Sequence, residues 1–110
     1  MLIAHLNSHN CRRAGGSSSV NYVIDPGELQ LNDPHASLST YFDRNTTSGN
    51  TITRRFCGSC GSPISTQTPQ YPDKIIIKAS LFDSMSTPAV EAFIQRREAW
   101  MKPIDDAQQK

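Results

Sequence analysis

Two cysteines separated by two residues are the part of this sequence whose residue types and spacing most clearly allow chemistry. Cys57 and Cys60 are each followed by a glycine. Glycine lets the chain turn tightly, so that backbone N–H groups can point at both sulfurs. The alternatives are two small residues in a turn or a redox pair, but Gly61-Ser62-Pro63 starts no helix of the kind that usually follows a redox pair. We therefore predict half of a structural zinc site, since such a site takes four ligands.

The third cysteine lies far upstream, beside residues that favour its ionised form. Cys11 is followed by Arg12 and Arg13, and the surrounding residues have the pattern of a short helical turn. Positive charges and the N–H groups of a helical turn both favour a thiolate. His5 and His9 are nearby donors, although a single histidine is more typical of a solvated surface. Cys11 is therefore a candidate nucleophile, and His9 is the candidate base beside it.

Length and composition bound the possible functions. The chain has 110 residues, 36% of them hydrophobic, with a formal net charge of +1. This predicts one domain with a small core and gives no electrostatic footprint for nucleic acid or an anionic membrane. Three cysteines are an odd number, which fits reduced thiols and a cytoplasmic location better than a disulfide framework. No signal peptide or membrane span is expected, and we predict a single domain over 1–105 with a polar, frayed tail over 106–110.

The elements that must position these cysteines are mostly short strands between turns. Val20, Tyr22 and Ile24 share one face of the first strand, and Ile75-Ile76-Ile77 is an unbroken apolar run that suits a strand covered on both faces. Leu81, Phe82, Phe93 and Trp100 complete the apolar material for a core. The predicted strands cover 18–24, 29–31, 38–42, 51–56, 63–68, 74–80 and 90–95.

These motifs resemble the glutathione-dependent formaldehyde-activating enzyme family, which includes centromere protein V-like domains. The stretch Thr51–Ile64, with its Phe-Cys-Gly-x-Cys-Gly-x-Pro block, is similar to the second signature of that family. The segment Cys11–Ser18 resembles the place where those proteins carry Cys-His-Cys-x-x-Cys-Arg-Lys-x-x-Gly. The similarity runs from Leu6 to about Asp105, because further matches occur at Lys74–Asp83, Pro88–Ile94 and Trp100.

The resemblance implies a fold, a metal content and an activity. The fold is mostly β, a β-tent of two small antiparallel sheets around a zinc knuckle, with little helix. In family members, the two cysteines that correspond to Cys57 and Cys60 bind a structural zinc ion together with the two cysteines of an upstream Cys-x-Cys motif. A second zinc is held by three thiolates, of which Cys11 corresponds to the last, and keeps an open position. The implied activity is zinc-dependent carbon–sulfur lyase chemistry on a glutathione adduct, with Arg12 and Arg13 as candidates for binding substrate carboxylates.

This chain departs from the family pattern at most of its ligand positions. Leu6 and Ser8 stand where two family cysteines belong, and the two cysteines of the upstream Cys-x-Cys have no counterpart in the sequence, so three of seven thiolates remain. Three accounts stay open. The chain is a truncated or mis-started lyase with weakened metal binding, a diverged enzyme that uses Cys11, histidines and arginines without metal, or a non-catalytic binding module. In the last case, a homodimer could complete a four-thiolate zinc site from Cys57 and Cys60 of each copy.

Overall fold

The computed structural model describes residues 2–6, 13, 15–16, 18–46 and 48–110, with backbone alone for 2–6. The described chain forms two compact units. One unit contains residues 23–77, and the other contains residues 1–22 together with 78–110. Each unit is built mainly of strands, and the only helical elements of three or more residues described are short 3₁₀ turns. The predicted class, mostly β with little helix and two groups of strands, is confirmed.

An antiparallel meander makes up the 23–77 unit and carries the Cys57–Cys60 turn. Its strands lie side by side in chain order. The first pair has a regular register from Leu38 opposite Cys57 to Asp43 opposite Ile52. The next pair shifts register between Arg55 and Phe56, just before the cysteine turn. The strands are β3 (Leu38–Asp43), β4 (Ile52–Cys57), β5 (Pro63–Gln67) and β6 (Ile75–Lys78), of which residues 75–77 belong to this unit.

The other unit orders its strands as β2-β1-β7-β8. The β1–β7 and β7–β8 pairs are parallel, with Leu6 opposite Ala92 and Val90 opposite Gln108. Strand β1 was absent from the sequence-based prediction, because a five-residue strand that pairs with one more than eighty residues away leaves no local signal. The strands are β1 (Leu2–Leu6), β2 (Ser19–Ile24, residues 19–22 in this unit), β7 (Val90–Ala92) and β8 (Gln108–Gln109).

The buried hydrophobic residues of the described chain are few. Ile77 and Ala79 are buried, whereas several large apolar side chains that were expected to pack are exposed. Trp100 is 75% exposed, and Leu81, Phe82 and Phe93 are exposed as well. On β2 the polar residues Ser19 and Asn21 are buried, while the alternating apolar residues are half-buried. Polar side chains therefore occupy part of the interior of the unit that contains β2.

Two local predictions were wrong. Leu29 and Leu31 form no strand, since Pro26–Glu28 is a 3₁₀ turn and both leucines are exposed. The turn is closed by Glu28, whose carboxylate accepts a hydrogen bond from the Asp25 N–H at 3.0 Å. The tail is also more ordered than predicted, because the Gln108 N–H donates to the Ala89 carbonyl at 2.8 Å. No helix in the described part of the chain is long and apolar enough to cross a membrane.

Candidate metal site at the cysteine turn

Backbone hydrogen bonds close the connection between β4 and β5 into a tight loop. The Cys57 N–H donates to the Ser62 carbonyl at 2.9 Å, and the Gly61 N–H donates back to the Cys57 carbonyl at 2.7 Å. Gly61 has a φ of 80°, a left-handed conformation that a residue with a side chain rarely adopts. The sequence thus specifies this loop by its second glycine, and the loop fixes where the two thiols point.

Both cysteines of the turn are free thiols. Cys57 is half-buried at the end of β4, and Cys60 is exposed. The Ser62 hydroxyl, 3.2 Å from Cys60 Sγ, is the main cause of a lowered pKa of the Cys60 thiol. Hydrogen bonds from the Ser62 backbone and the Cys57 thiol lower that pKa further. The turn therefore favours the thiolate, which is the form that binds a metal.

The first glycine of the turn allows close contact with the chain before β3. The Gly58 N–H donates to the Ser37 carbonyl at 2.7 Å. A Cβ at position 58 would lie 2.6 Å from Ser39 Oγ and 3.0 Å from the Ser37 carbonyl oxygen. Such distances are too short for a carbon atom without a shift of the neighbours. Glycine at position 58 thus locks the cysteine turn against the start of β3.

A cavity of about 160 Å³ lies beside Cys57. It is walled mainly by apolar side chains, with Asp33 among the polar residues at its lining. The Asp33 carboxylate accepts hydrogen bonds from the Ser37 and Leu38 N–H groups, at 2.8 and 3.0 Å. These bonds hold the loop before β3 in place. The lining residues are Leu31, Asn32, Asp33, Ser37, Leu38, Cys57 and Ile64.

The family resemblance implies zinc, and the donors present meet that requirement only in part. Cys57 and Cys60 supply two sulfur ligands on one rigid turn. Among the described residues, no group of three or more histidine, cysteine or acidic side chains could hold a metal ion. A structural zinc takes four ligands, so the turn provides half of one site. Zinc binding at this turn stays a prediction.

The predicted catalytic residues fall in a part of the chain that the structure leaves largely undescribed. Cys11, His9 and Arg12 lie outside the described residues, and Arg13 is exposed. His5 is on β1, where its backbone is paired with Glu91. The roles of these residues therefore stay predictions. For the second, catalytic-type zinc the sequence offers only Cys11 of three family thiolates, and that donor set does not fit the metal.

Buried polar residues of the other unit were missed by the sequence analysis. Lys78 is only 5% exposed, and its Nζ donates to Ser19 Oγ at 2.7 Å. Ser19 Oγ donates in turn to Asn21 Oδ1 at 3.1 Å. Glu91 is fully buried and accepts hydrogen bonds from the Ile104 N–H and from Arg97. The sequence signal for these buried polar residues is the alternation of polar and apolar residues along β2, where the polar positions are the buried ones.

The chain is a mostly β protein in which a glycine-flanked Cys-x-x-Cys turn connects two antiparallel strands. The family model of the glutathione-dependent formaldehyde-activating enzyme matches residues 2–102, and the chain belongs to that family. No curated protein matches the chain.

A solved structure supports the fold independently. The crystal structure of a Rhodobacter sphaeroides protein, a structural genomics target, matches with a TM-score of 0.58 at 17% sequence identity. The match covers 76% of this chain and 71% of that protein. At this identity the similarity shows the fold alone, and it carries no information on substrate or metal.

Proposed function

We propose that the protein acts on glutathione-type S-hydroxymethyl adducts, making or breaking the bond between the thiol sulfur and the formaldehyde carbon. Membership of the glutathione-dependent formaldehyde-activating enzyme family, over residues 2–102, is the observation that supports this activity best. Reduced thiols in the described turn and a glutathione-derived substrate both suit a cytoplasmic location. The exposed Cys57–Cys60 turn suits a homodimer as the assembled form.

The chemistry is an addition without change of oxidation state. The glutathione sulfur attacks the carbonyl carbon, the C=O π pair moves to oxygen, and that oxygen takes up a proton. Removal of the thiol proton by a base speeds the step, and His9 is the candidate base. In the lyase direction the hydroxyl proton leaves and the carbon–sulfur bond breaks.

The remaining predicted residues have supporting roles in this proposal. Cys11, followed by Arg12 and Arg13, is a candidate nucleophile for a two-step route: its thiolate adds to formaldehyde, and the Cys11 carbon–sulfur bond then breaks to return the carbonyl group that the glutathione sulfur attacks. The two guanidinium groups are candidates for the glutathione carboxylates, since arginine binds carboxylates in a bidentate way. Zinc with an open position supplies Lewis-acid polarisation of a carbonyl in enzymes that hold it. Because the donors around Cys11 do not complete such a site, no step here is assigned to a metal.

The test is the exchange rate between glutathione, formaldehyde and their adduct, measured by NMR above the rate without protein. We expect catalysis by the wild type and a loss of roughly 10²-fold in His9→Ala and Cys11→Ala. His35→Ala is the matched control, because His35 is exposed and has no assigned role. A wild type that folds but exchanges the adduct no faster than buffer would refute the activity and favour a non-catalytic binding module.

A further inference from the structure

We propose that strand β3 is an interface between two copies of this chain, which pair antiparallel along it and join their meanders into one sheet. The proposal concerns assembly, and it stands whether or not the protein turns over a glutathione adduct. It is carried by the backbone and side chains of the 23–77 unit, in which β3 lies at an edge.

One side of β3 is open to a further strand. Among the described residues, β3 pairs with β4 alone, so its other side is a sheet edge. Thr40, Tyr41 and Phe42 are all exposed, with exposed fractions of 58% for Tyr41 and 53% for Phe42. Because successive side chains of a strand point to opposite faces, both faces are accessible at the centre of this edge.

The hydrogen bonds at the start of β3 identify the backbone groups that point outward. The Leu38 N–H donates to the Asp33 carboxylate at 3.0 Å, and the N–H of Cys57, the residue opposite, donates within the loop after β4. Leu38 and Cys57 are therefore a non-hydrogen-bonded pair. Such pairs alternate with hydrogen-bonded ones in antiparallel strands, so the N–H and C=O groups of Thr40 and Phe42 also point away from β4.

The edge of β3 has none of the usual features that protect an edge strand. Natural edge strands are often very short, or carry lysine, proline or a bulge. Strand β3 has six residues, contains neither lysine nor proline, and keeps a regular register with β4. By contrast, β8, which pairs only with β7 among the described strands, has two residues. A six-residue unprotected edge is the type that a partner strand covers.

The pattern of outward groups favours a second copy as that partner. The Leu38 N–H is already bound, which leaves Thr40 and Phe42 to exchange hydrogen bonds across the edge. When Thr40 of one copy lies opposite Phe42 of the other, all of these N–H and C=O groups are paired around a two-fold axis at Tyr41. The two Tyr41 side chains then face each other, and aromatic cross-strand pairs stabilise a sheet.

Charges of opposite sign also meet in this register. It places Arg44 of one copy opposite Leu38 of the other, and Arg44 is exposed just after β3. The Asp33 carboxylate lies at the same point of the edge, because it accepts the Leu38 N–H. Each Arg44 therefore faces Asp33 of the other copy, and the two-fold axis makes this contact twice. A shift of two residues in either direction would separate the two charges.

The first experiment is sedimentation velocity on the full chain over a range of concentrations, where we expect a monomer–dimer equilibrium. Thr40→Pro should abolish the dimer, because proline removes an outward N–H without removing a hydrogen bond to β4. Thr40→Ala, which keeps the N–H, is the matched control and should keep the dimer. Circular dichroism of each variant shows whether the fold is retained.

A charge substitution tests the interface without changing the backbone. Arg44→Glu places a negative charge against Asp33 of the other copy and should weaken the dimer about 10-fold. Lys102→Glu makes the same charge change at an exposed position of the other unit and should leave the association unchanged.

Disulfide crosslinking reads the register directly. Tyr41→Cys, treated with diamide and mapped by mass spectrometry of its peptides, should give a bond between residue 41 of the two copies. Tyr71→Cys is the control, since Tyr71 is 55% exposed in the same unit but lies outside β3.

Four outcomes would overturn the proposal. A wild type that is monomeric at every concentration has no such interface. A dimer that persists in a folded Thr40→Pro variant is held together elsewhere. Equal crosslinking at positions 41 and 71 would show random collision. A monomer whose β3 edge binds an unrelated extended peptide would assign the edge to a different chain.

Discussion

The Cys57–Cys60 turn and the surroundings of Glu91 use polar groups in opposite ways. At the turn, backbone hydrogen bonds fix the loop and leave two thiols free, one of them exposed. At Glu91 the side chain is fully buried, and its carboxylate is satisfied by the Ile104 N–H at 3.1 Å and by Arg97 at 3.3 Å. The difference separates two roles. The first region leaves its two thiols unbridged, and the second uses its polar groups to hold its own unit together.

The largest expected effect comes from breaking the buried region. Glu91→Ala should lower the free energy of unfolding by about 3 kcal/mol or more, because it leaves Arg97 and the Ile104 N–H without their buried acceptor. Urea denaturation followed by circular dichroism measures the change. Gln95→Ala, an exposed change near Arg97, should stay within about 0.5 kcal/mol of the wild type. Equal stability of the two variants would show that the Glu91 contacts contribute nothing to the fold.

An intermediate effect is expected at the cysteine turn. Gly58→Ala should cost about 1–3 kcal/mol, since its Cβ would overlap Ser39 Oγ and the Ser37 carbonyl oxygen. It should also weaken zinc binding, measured by competition with a chelator, because the turn would shift away from β3. Gly27→Ala is the matched control, as a Cβ there meets no atom within 4 Å.

A second substitution sharpens that result. Adding Ser39→Ala to Gly58→Ala removes the hydroxyl in the 2.6 Å contact but leaves the 3.0 Å contact with the Ser37 carbonyl oxygen. The double variant should therefore recover part, and not all, of the lost stability. No recovery would mean that the backbone contact alone limits residue 58, and a harmless Gly58→Ala would contradict the close packing of the turn against β3.

The smallest effect belongs to an exposed ion pair of the 23–77 unit. Lys74 hydrogen-bonds to Asp25 and lowers the pKa of that carboxyl below its ordinary value of 3.8. A lowered folded-state pKa gives stability that is present above the ordinary value and is lost as the pH falls through the folded-state pKa. Asp25→Asn should thus lower the unfolding midpoint slightly at pH 7 and by less below pH 3.8, in thermal scans. A larger loss at low pH than at pH 7 would reverse the assigned sign.

The sequence predicts the turn better than it predicts the buried region, for a physical reason. Cys57, Cys60 and the two glycines lie within five consecutive residues, so their spacing alone indicates a tight loop at the end of a strand. The strands on either side of it were predicted to within about one residue. Glu91 depends on Arg97 and Ile104, which lie six and thirteen residues away and show no shared pattern. A charged residue is buried only when partners elsewhere in the chain satisfy its charge, and the composition of the sequence does not indicate which residue that will be.

The parallel pairing of β1 with β7 could not be predicted from the sequence either. Ala4 lies opposite Val90, and neither segment carries a local signal for a partner at that distance in sequence. For the same reason Trp100 was expected to pack, although it is 75% exposed. Local periodicity predicts which segments are strands, whereas the choice of neighbours depends on the whole chain.

The most direct test of the account is X-ray absorption at the zinc K edge on the zinc-loaded protein. If the cysteine turn binds zinc, at least two sulfur neighbours are expected at about 2.3 Å from the metal ion. A protein that takes up zinc with no sulfur neighbours, or that takes up no zinc, would contradict the prediction.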